Sequence, residues 1–299
     1  MAERDGAPDG APVGFVGLGR MGAPMVRRLA AGGVTVRGHD AAPGAADGLA
    51  DVLTPAPTAA AAADGSAVVI LMLPDSGVVE KVVVGGLLDA LAPSTLLVDM
   101  TTSEPLRTRA LGERVGERGA TLVDAPVSGG VAGARDGTLT IMVGGPADAA
   151  ERLTPLLRLM GRVRHVGDSG AGHALKALNN LLSASHLLAT SEAILAGERF
   201  GLDPTAMLEA INGSSGRSGS TENKWPNHIV PRTYDSGFTA GLMVKDLRIA
   251  LDLARAVGAP RGHAERTLAL WSRAVDALGS GADHTEIARW LRERPEEDQ

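Results

Sequence analysis

The chain has no cysteine among its 299 residues. That excludes disulfides, thiolate nucleophiles, Cys-ligated zinc and iron–sulfur clusters. Aromatic residues are nearly as scarce, with three Phe, three Trp and one Tyr, too few for a platform on which nucleic-acid bases stack. No apolar run reaches about 18 uninterrupted residues, the length a membrane span needs. A basic excess is missing too: 29 Lys+Arg against 35 Asp+Glu leaves a net charge of −6, which argues against a protein that tracks phosphates along nucleic acid. The seven histidines are scattered without metal-ligand spacing, so no metal site is expected. Residues 1–12, acidic and rich in Gly, Ala and Pro, lack the apolar segment of a signal peptide and read as a flexible tail. The expectation is a soluble cytoplasmic protein, with no nucleic-acid or membrane partner.

A composition of 44% hydrophobic and 21% charged residues is ordinary for a folded globular chain, and its length suits two domains. Short apolar runs at 13–16, 34–39, 68–73, 96–100, 121–124, 139–143 and 163–166 alternate with helix-like segments at 21–31, 77–91, 105–118 and 147–160. This rhythm implies βαβ units on a largely parallel sheet. Residues 68–73 carry no polar alternation, as expected of a strand covered on both faces. The texture then changes. Residues 174–200 hold no proline and one glycine, enough for a helix about 40 Å long. Further helical segments follow at 204–211, 243–257, 261–278 and 285–294, and no strand is expected after 166. The expected architecture is α/β: a Rossmann-type parallel sheet over 13–170, then over 171–294 a long interdomain helix and an all-α domain.

Gly17-Leu18-Gly19-Arg20-Met21-Gly22 satisfies G-x-G-x-x-G. In a chain of 39 glycines the pattern alone is weak, but it follows an apolar strand and opens a helix. There Gly17 permits a tight turn, Gly19 lets backbone approach a pyrophosphate, and Gly22 lets helix and sheet pack closely. Asp40 closes the second strand, where a carboxylate accepts hydrogen bonds from adenosine ribose hydroxyls and repels a 2′-phosphate. NAD is therefore expected over NADP, with Arg20 and Arg37 nearby as cations that weaken the preference and leave NADP open.

Two other segments carry chemistry-bearing residues. Ser128-Gly129-Gly130 follows the strand ending at Asp124, so hydroxyl and backbone donors can meet a carboxylate at the ligand-binding edge of the sheet; a turn of this composition serves equally as plain structure. On the long helix, Lys176 and Asn180 are four apart and share a face. An ammonium with an amide one turn away is a workable proton-transfer pair; a solvated lysine beside two surface amides, Asn179 and Asn180, has the same spacing. His173, three before Lys176, is a rival proton carrier.

Taken together, residues 14–22, 124–145, 172–180 and Lys245-Asp246-Leu247 resemble the β-hydroxyacid dehydrogenase (3-hydroxyisobutyrate dehydrogenase-like) family, over about 13–292. The resemblance implies an NAD-dependent enzyme that interconverts a short 3-hydroxy acid and its semialdehyde. Lys176 would be the general acid/base, and Ser128, Gly129, Gly130 and Asn180 would hold substrate. Gly17, Leu18, Gly19, Arg20, Met21, Gly22 and Asp40 would bind the dinucleotide. Leu73, Pro74 and Thr102 would line its nicotinamide side, and Lys245, also taken as a cofactor contact, would reach into the site. A base at this position must titrate below the ~10.4 of free lysine. The resemblance also implies a homodimer or homotetramer. It brings residues 214–226 near the substrate, where Arg217 or Lys224 would favour more polar acids such as serine or sulfonated analogues. Imine reductases, 6-phosphogluconate dehydrogenases and non-catalytic NAD-binding modules share the layout; the lysine argues against the first and last.

Overall fold

The computed structural model describes residues 11–293; apart from residues 11 and 12, the expected tail over 1–12 and the charged end at 294–299 lie outside the described residues. Two compact units part between Lys176 and Ala177, six residues after the boundary expected from sequence and inside a helix.

In chain order the first unit holds β1 (Val13–Val16), α1 (Gly22–Ala31), β2 (Val36–His39), β3 (Thr54–Pro55), α2 (Ala59–Ala63), β4 (Val68–Leu71), α3 (Ser76–Val82), α4 (Leu88–Ala90), β5 (Leu96–Asp99), α5 (Pro105–Gly116), β6 (Thr121–Asp124), β7 (Val127–Ser128), α6 (Gly130–Asp136), β8 (Leu139–Gly144), α7 (Ala147–Arg158), β9 (Gly161–Gly167) and the start of α8 (Ala171–Phe200). The strands form one sheet in the order β3-β2-β1-β4-β5-β6-β8-β7, with β9 beside β8. From β3 to β6 every pairing is parallel, whereas β8 runs antiparallel to β6 and β7.

Strand side chains alternate faces, and the buried residues divide accordingly. Val13, Phe15, Val68, Ile70, Leu96 and Val98 pack with Met25, Val26 and Leu29 of α1 and Leu153, Leu156 and Leu157 of α7. Val16, Val69, Leu71 and Leu97 pack with Ala62 and Ala63 of α2, Val79 of α3, and Leu111 and Val115 of α5. In α1 the buried set Gly22, Met25, Val26, Leu29 is the i, i+3, i+4, i+7 stripe of a helix laid on a sheet. Gly14 brings β1 against α2: a Cβ there would stand 2.6 Å from the Ala62 carbonyl oxygen.

One segment differs from the sequence expectation, and two short helices fall where none was expected. The helix expected over 77–91 is broken by a wide turn at Val83–Leu87, where Gly85 and Gly86 leave helical geometry. α2 is a run of five alanines whose apolar periodicity is invisible; Thr58 caps it by accepting the Ala61 N–H. α6, rich in small residues, is a helix that no apolar periodicity announces.

The second unit comprises the remainder of α8, α9 (Pro204–Asn212), α10 (Ala240–Ala256), α11 (Gly262–Leu278) and α12 (Ile287–Glu293). Its core gathers Ala184, Leu187 and Ile194 of α8, Met243, Val244 and Leu247 of α10, Trp271 and Ala274 of α11, and Ile287 and Ala288 of α12 around Trp225 and Ile229. The Trp271 indole N–H donates to the Ala184 carbonyl at 3.3 Å. Among the described residues past β9 there is no strand, only a lone bridge between Thr239 and Asp283. Residues 214–226, which the resemblance brings near the substrate and whose Gly and Ser content reads as a polar loop, give way at Ser220 to a wide helix, Ser220–Ile229, anchored by buried Trp225 and Ile229.

Candidate active site

The carboxyl ends of β1 and β4 meet at the point where strand order reverses, the place ligands occupy in open α/β sheets. Gly17 turns the chain there with φ +100°, and a Cβ on it would lie 2.1 Å from the Met72 carbonyl oxygen. A Cβ on Gly22 would meet the Gly17 carbonyl oxygen just as closely, whereas one on Gly19 would find nothing within 4 Å. The first and last glycines are thus required by protein packing, and the middle one faces open space. α1 begins behind this turn without a side-chain cap and without an acidic residue in its first turn. Its N-terminal dipole is left for an external anion, and the pyrophosphate of a dinucleotide fits that cradle. Asp40, one residue past β2, accepts the Leu18 N–H at 2.6 Å and the Ala42 N–H at 2.7 Å. The carboxylate braces the glycine turn and, with four lone-pair sites, keeps capacity for ribose hydroxyls. The Arg37 guanidinium is held by the Ala61 and Asp64 carbonyls.

The other expected residues of this unit follow strand ends on the same edge. Leu73 and Pro74 come after β4, Thr102 after β5, and Ser128 and Gly129 close β7 and open α6. The Leu73 N–H donates to the Thr101 hydroxyl at 3.1 Å, joining the loops after β4 and β5. Thr101 was not singled out from sequence, and only its place beside Thr102 pointed to it. Gly129 (φ +127°) and Gly130 (φ +62°) take backbone conformations that few side chains tolerate.

α8 is anchored at its start by Asp124 at the end of β6. This fully buried carboxylate accepts the Gly170 N–H at 2.7 Å and the His173 N–H at 2.9 Å. Gly172 sits so close that a Cβ would lie 2.2 Å from the Met142 carbonyl oxygen. His173 is wholly buried. Lys176 follows one turn later, 7% exposed, and Asn180 on the same helix is 6% exposed, so neither is the solvated surface residue its spacing also permitted.

In the second unit the Asn180 amide donates to Asp246 at 2.5 Å and receives a bond from Asn179 at 3.1 Å. Asp246, 1% exposed, lies 3.2 Å from the Lys245 ammonium. Asp246 thus braces Asn180 and is ion-paired with Lys245. Arg217 is exposed and paired with Glu222 at 2.7 Å. Lys224 is partly buried, and desolvation moves its ammonium below the usual lysine range, against an opposing pull from Asp283. No group of three or more His, Asp or Glu side chains suited to a metal ion occurs among the described residues, and none of their helices is long and apolar enough to cross a membrane.

A doubly wound sheet with such a turn at its crossover is the working part of a dinucleotide-dependent oxidoreductase. Family comparison also finds two parts: residues 12–167 match the NAD binding domain of 6-phosphogluconate dehydrogenase, and 170–291 match the family described as NAD-binding of NADP-dependent 3-hydroxyisobutyrate dehydrogenase. The chain is 40% identical to a 3-hydroxyisobutyrate dehydrogenase of Pseudomonas aeruginosa over 94% of its own length and 98% of that protein. It is 42% identical to an NAD-dependent L-serine dehydrogenase of the same organism, over 82% of this chain and 85% of the relative. A solved structure of 3-hydroxyisobutyrate dehydrogenase from Mycobacterium tuberculosis with L-serine superposes with a TM-score of 0.88 at 34% identity, covering 94% of this chain and 99% of that one. The chain belongs to the β-hydroxyacid dehydrogenase family, a class of NAD-dependent oxidoreductases acting on hydroxy acids.

Proposed function

We propose that this protein interconverts a short-chain 3-hydroxy acid and its semialdehyde, with Lys176 as general acid/base. The observation that carries the reading is the pairing of Lys176 with Asn180, one helical turn apart and both buried, in a chain with an intact dinucleotide turn. Gly17 to Gly22 and Asp40 hold the dinucleotide, Leu73, Pro74 and Thr102 line its reactive end, and Lys245 is a further cofactor contact. When bound, the cofactor supplies the hydride acceptor or donor. Ser128, Gly129 and Gly130 offer hydroxyl and backbone donors to the substrate carboxylate. Asn180, held by Asp246, orients the substrate oxygen. Lys176 takes the hydroxyl proton in oxidation and returns it to the developing alkoxide in reduction. NAD is favoured over NADP because Asp40 is anionic and Arg37 is turned to the backbone carbonyls of Ala61 and Asp64.

Two of the similar proteins are described with L-serine, which supports a polar 3-hydroxy acid as strongly as a methyl-bearing one. With Arg217 paired to Glu222, Lys224 is the better of the two candidates for a distal polar group. A homodimer or homotetramer belongs to the same reading: Leu175, Leu178 and Leu182 are 40%, 40% and 57% exposed along one side of α8, a stripe at i, i+3 and i+7. Cytoplasmic residence goes with dependence on a soluble NAD pool.

The test is Lys176→Ala, assayed by NADH absorbance against 3-hydroxyisobutyrate, serine, glycerate and sulfonated analogues. Loss of a general acid/base removes about 10²–10⁴ of the rate, so kcat should fall at least that far while NADH binding stays near wild type. Turnover within tenfold of wild type removes the assignment.

A further inference from the structure

One buried polar cluster of the first unit has no part in the chemistry proposed above. His173 is 0% exposed, and Asp99, Thr108 and Asp124 around it are nearly or fully buried. Nδ1 of His173 and the Thr108 hydroxyl are hydrogen-bonded at 2.8 Å. Nε2 has no hydrogen-bond partner among the described residues and faces Asp99 Oδ2 at 3.8 Å. Asp124 Oδ2 lies 4.0 Å from Nδ1 and accepts the backbone N–H of His173. Asp99 is itself held by the Ser103 hydroxyl at 2.8 Å and the Thr101 N–H at 2.9 Å. Thr101 in turn accepts the Leu73 N–H.

A buried polar side chain costs free energy unless its bonds are made, and one ring nitrogen here is left without a partner. An apolar residue would fill the space more cheaply. What the imidazole adds is a directional link from α8 to α5, which carries Thr108. Asp124 fixes where α8 starts, but backbone N–H bonds at a helix end hold position better than rotation about the axis. A side-chain bond made off the axis holds rotation. Lys176 is three residues on, about 4.5 Å along the same rigid helix. A misrotation of roughly 10° carries a group about 6 Å from the axis through about 1 Å. Misplacement on that scale can cost about 10²-fold in rate.

We propose that His173 is a positioning residue for the proton-transfer step: bonded to Thr108 between Asp99 and Asp124, it sets the rotation of the first turn of α8 and so the aim of Lys176. The inference rests on the assignment of Lys176 as general acid/base.

The test uses the full chain, five single variants of the His173–Thr108 pair, one double variant and Lys176→Ala as the control. His173→Leu removes the link. His173→Asn places an amide near the Nδ1 position, and His173→Gln reaches toward Nε2 instead. Thr108→Val deletes the other partner at nearly constant volume, and Thr108→Ser keeps the hydroxyl. His173→Leu and Thr108→Val should each lower kcat by about 10–100-fold, consistent with a shift of 1 Å or less, with substrate KM and NADH Kd within about threefold. Asn should recover most of the loss and Gln should not. The double variant should be no slower than His173→Leu alone, as for two partners in one bond. Should His173→Leu fail to fold, Thr108→Val against Thr108→Ser carries the comparison. Wild-type kcat in Thr108→Val, equal recovery by Asn and Gln, or a loss confined to KM overturns the proposal. Lys176→Ala run alongside separates the two assignments. Turnover there within tenfold of wild type removes the acid/base reading, whereas a Lys176→Ala slowed about 10²-fold or more with undiminished His173→Leu removes only the role of His173.

Discussion

Replacing Asp124 tests how the sheet holds the helix that carries Lys176. Its two oxygens accept the N–H groups of Gly170 and His173 at 2.7 and 2.9 Å, with the side chain fully out of water. Alanine at this position strands both donors. Each unsatisfied buried donor costs about 1–3 kcal/mol, and the favourable interaction of a carboxylate with a helix N-terminus, about 0.3–2 kcal/mol, is lost as well. Two terms oppose this: the desolvation cost of the carboxylate disappears, and water entering the vacated space recovers part of the bonding. A net loss of about 2–4 kcal/mol follows for Asp124→Ala. Asparagine keeps one acceptor and turns its amide N–H₂ toward the other donor, for a loss of about 1–2 kcal/mol. For a unit of this size each kcal/mol lowers the melting temperature by about 2–4 °C, so the alanine variant should melt roughly 4–16 °C below wild type, with asparagine between them. Differential scanning calorimetry at neutral pH reads both. An alanine variant that melts within 2 °C of wild type, or asparagine falling below alanine, would refute the reasoning.

Three further outcomes are expected. Gly17→Ala should lower the melting temperature, since its Cβ meets the Met72 carbonyl and its φ is +100°, whereas Gly19→Ala should melt like wild type and bind NADH more weakly; fluorescence titration and calorimetry on the pair check both. Asp40→Ser should raise the ratio of NADP to NAD use in kcat/KM by removing the charge that repels a 2′-phosphate, and an unchanged ratio would count against Asp40 as the selector. Asp283 is held well below the usual carboxylate range: burial alone would raise it, but the His284 ring 3.6 Å away and hydrogen bonds from Thr285 and Ser236 outweigh that. A depressed folded-state value contributes stability above about pH 3.9 and loses it as pH falls through the folded value. The melting difference between wild type and Asp283→Asn should therefore be largest near pH 6–7 and shrink below pH 4.

The α/β layer was legible wherever apolar runs were long enough to show their period. β1, β4, β5, β6 and β8 fall within a residue or two of the expected runs, because a strand buried on both faces announces itself by composition. α2 and α6 did not, because alanine and glycine carry too little hydrophobic contrast to reveal a face. The helix at Ser220–Ile229 was hidden by its polar, Gly- and Ser-rich approach; two buried side chains, Trp225 and Ile229, hold it. Of the candidate site, the glycine turn was readable as a local motif. The long-range bonds were not: Asp40 to Leu18, Thr101 to Leu73, and Asp124 to Gly170 and His173 join segments 22, 28, 46 and 49 residues apart. No local periodicity encodes such pairings. The Asn180–Asp246 bond, across 66 residues, was reachable only as two separate blocks.

β4 reads Val-Val-Ile-Leu, with all four residues buried, and both of its faces meet hydrophobic layers. A slip of one residue along β1 would exchange one aliphatic set for another, so oiliness by itself hardly penalises misalignment. Close backbone contacts then help hold the alignment: Gly17 at the end of β1 leaves room for the Met72 carbonyl after β4, and Gly14 leaves room for the Ala62 carbonyl of α2. Filling the Gly17 notch should therefore strain the native alignment, visible as a lowered melting temperature with helical circular dichroism retained.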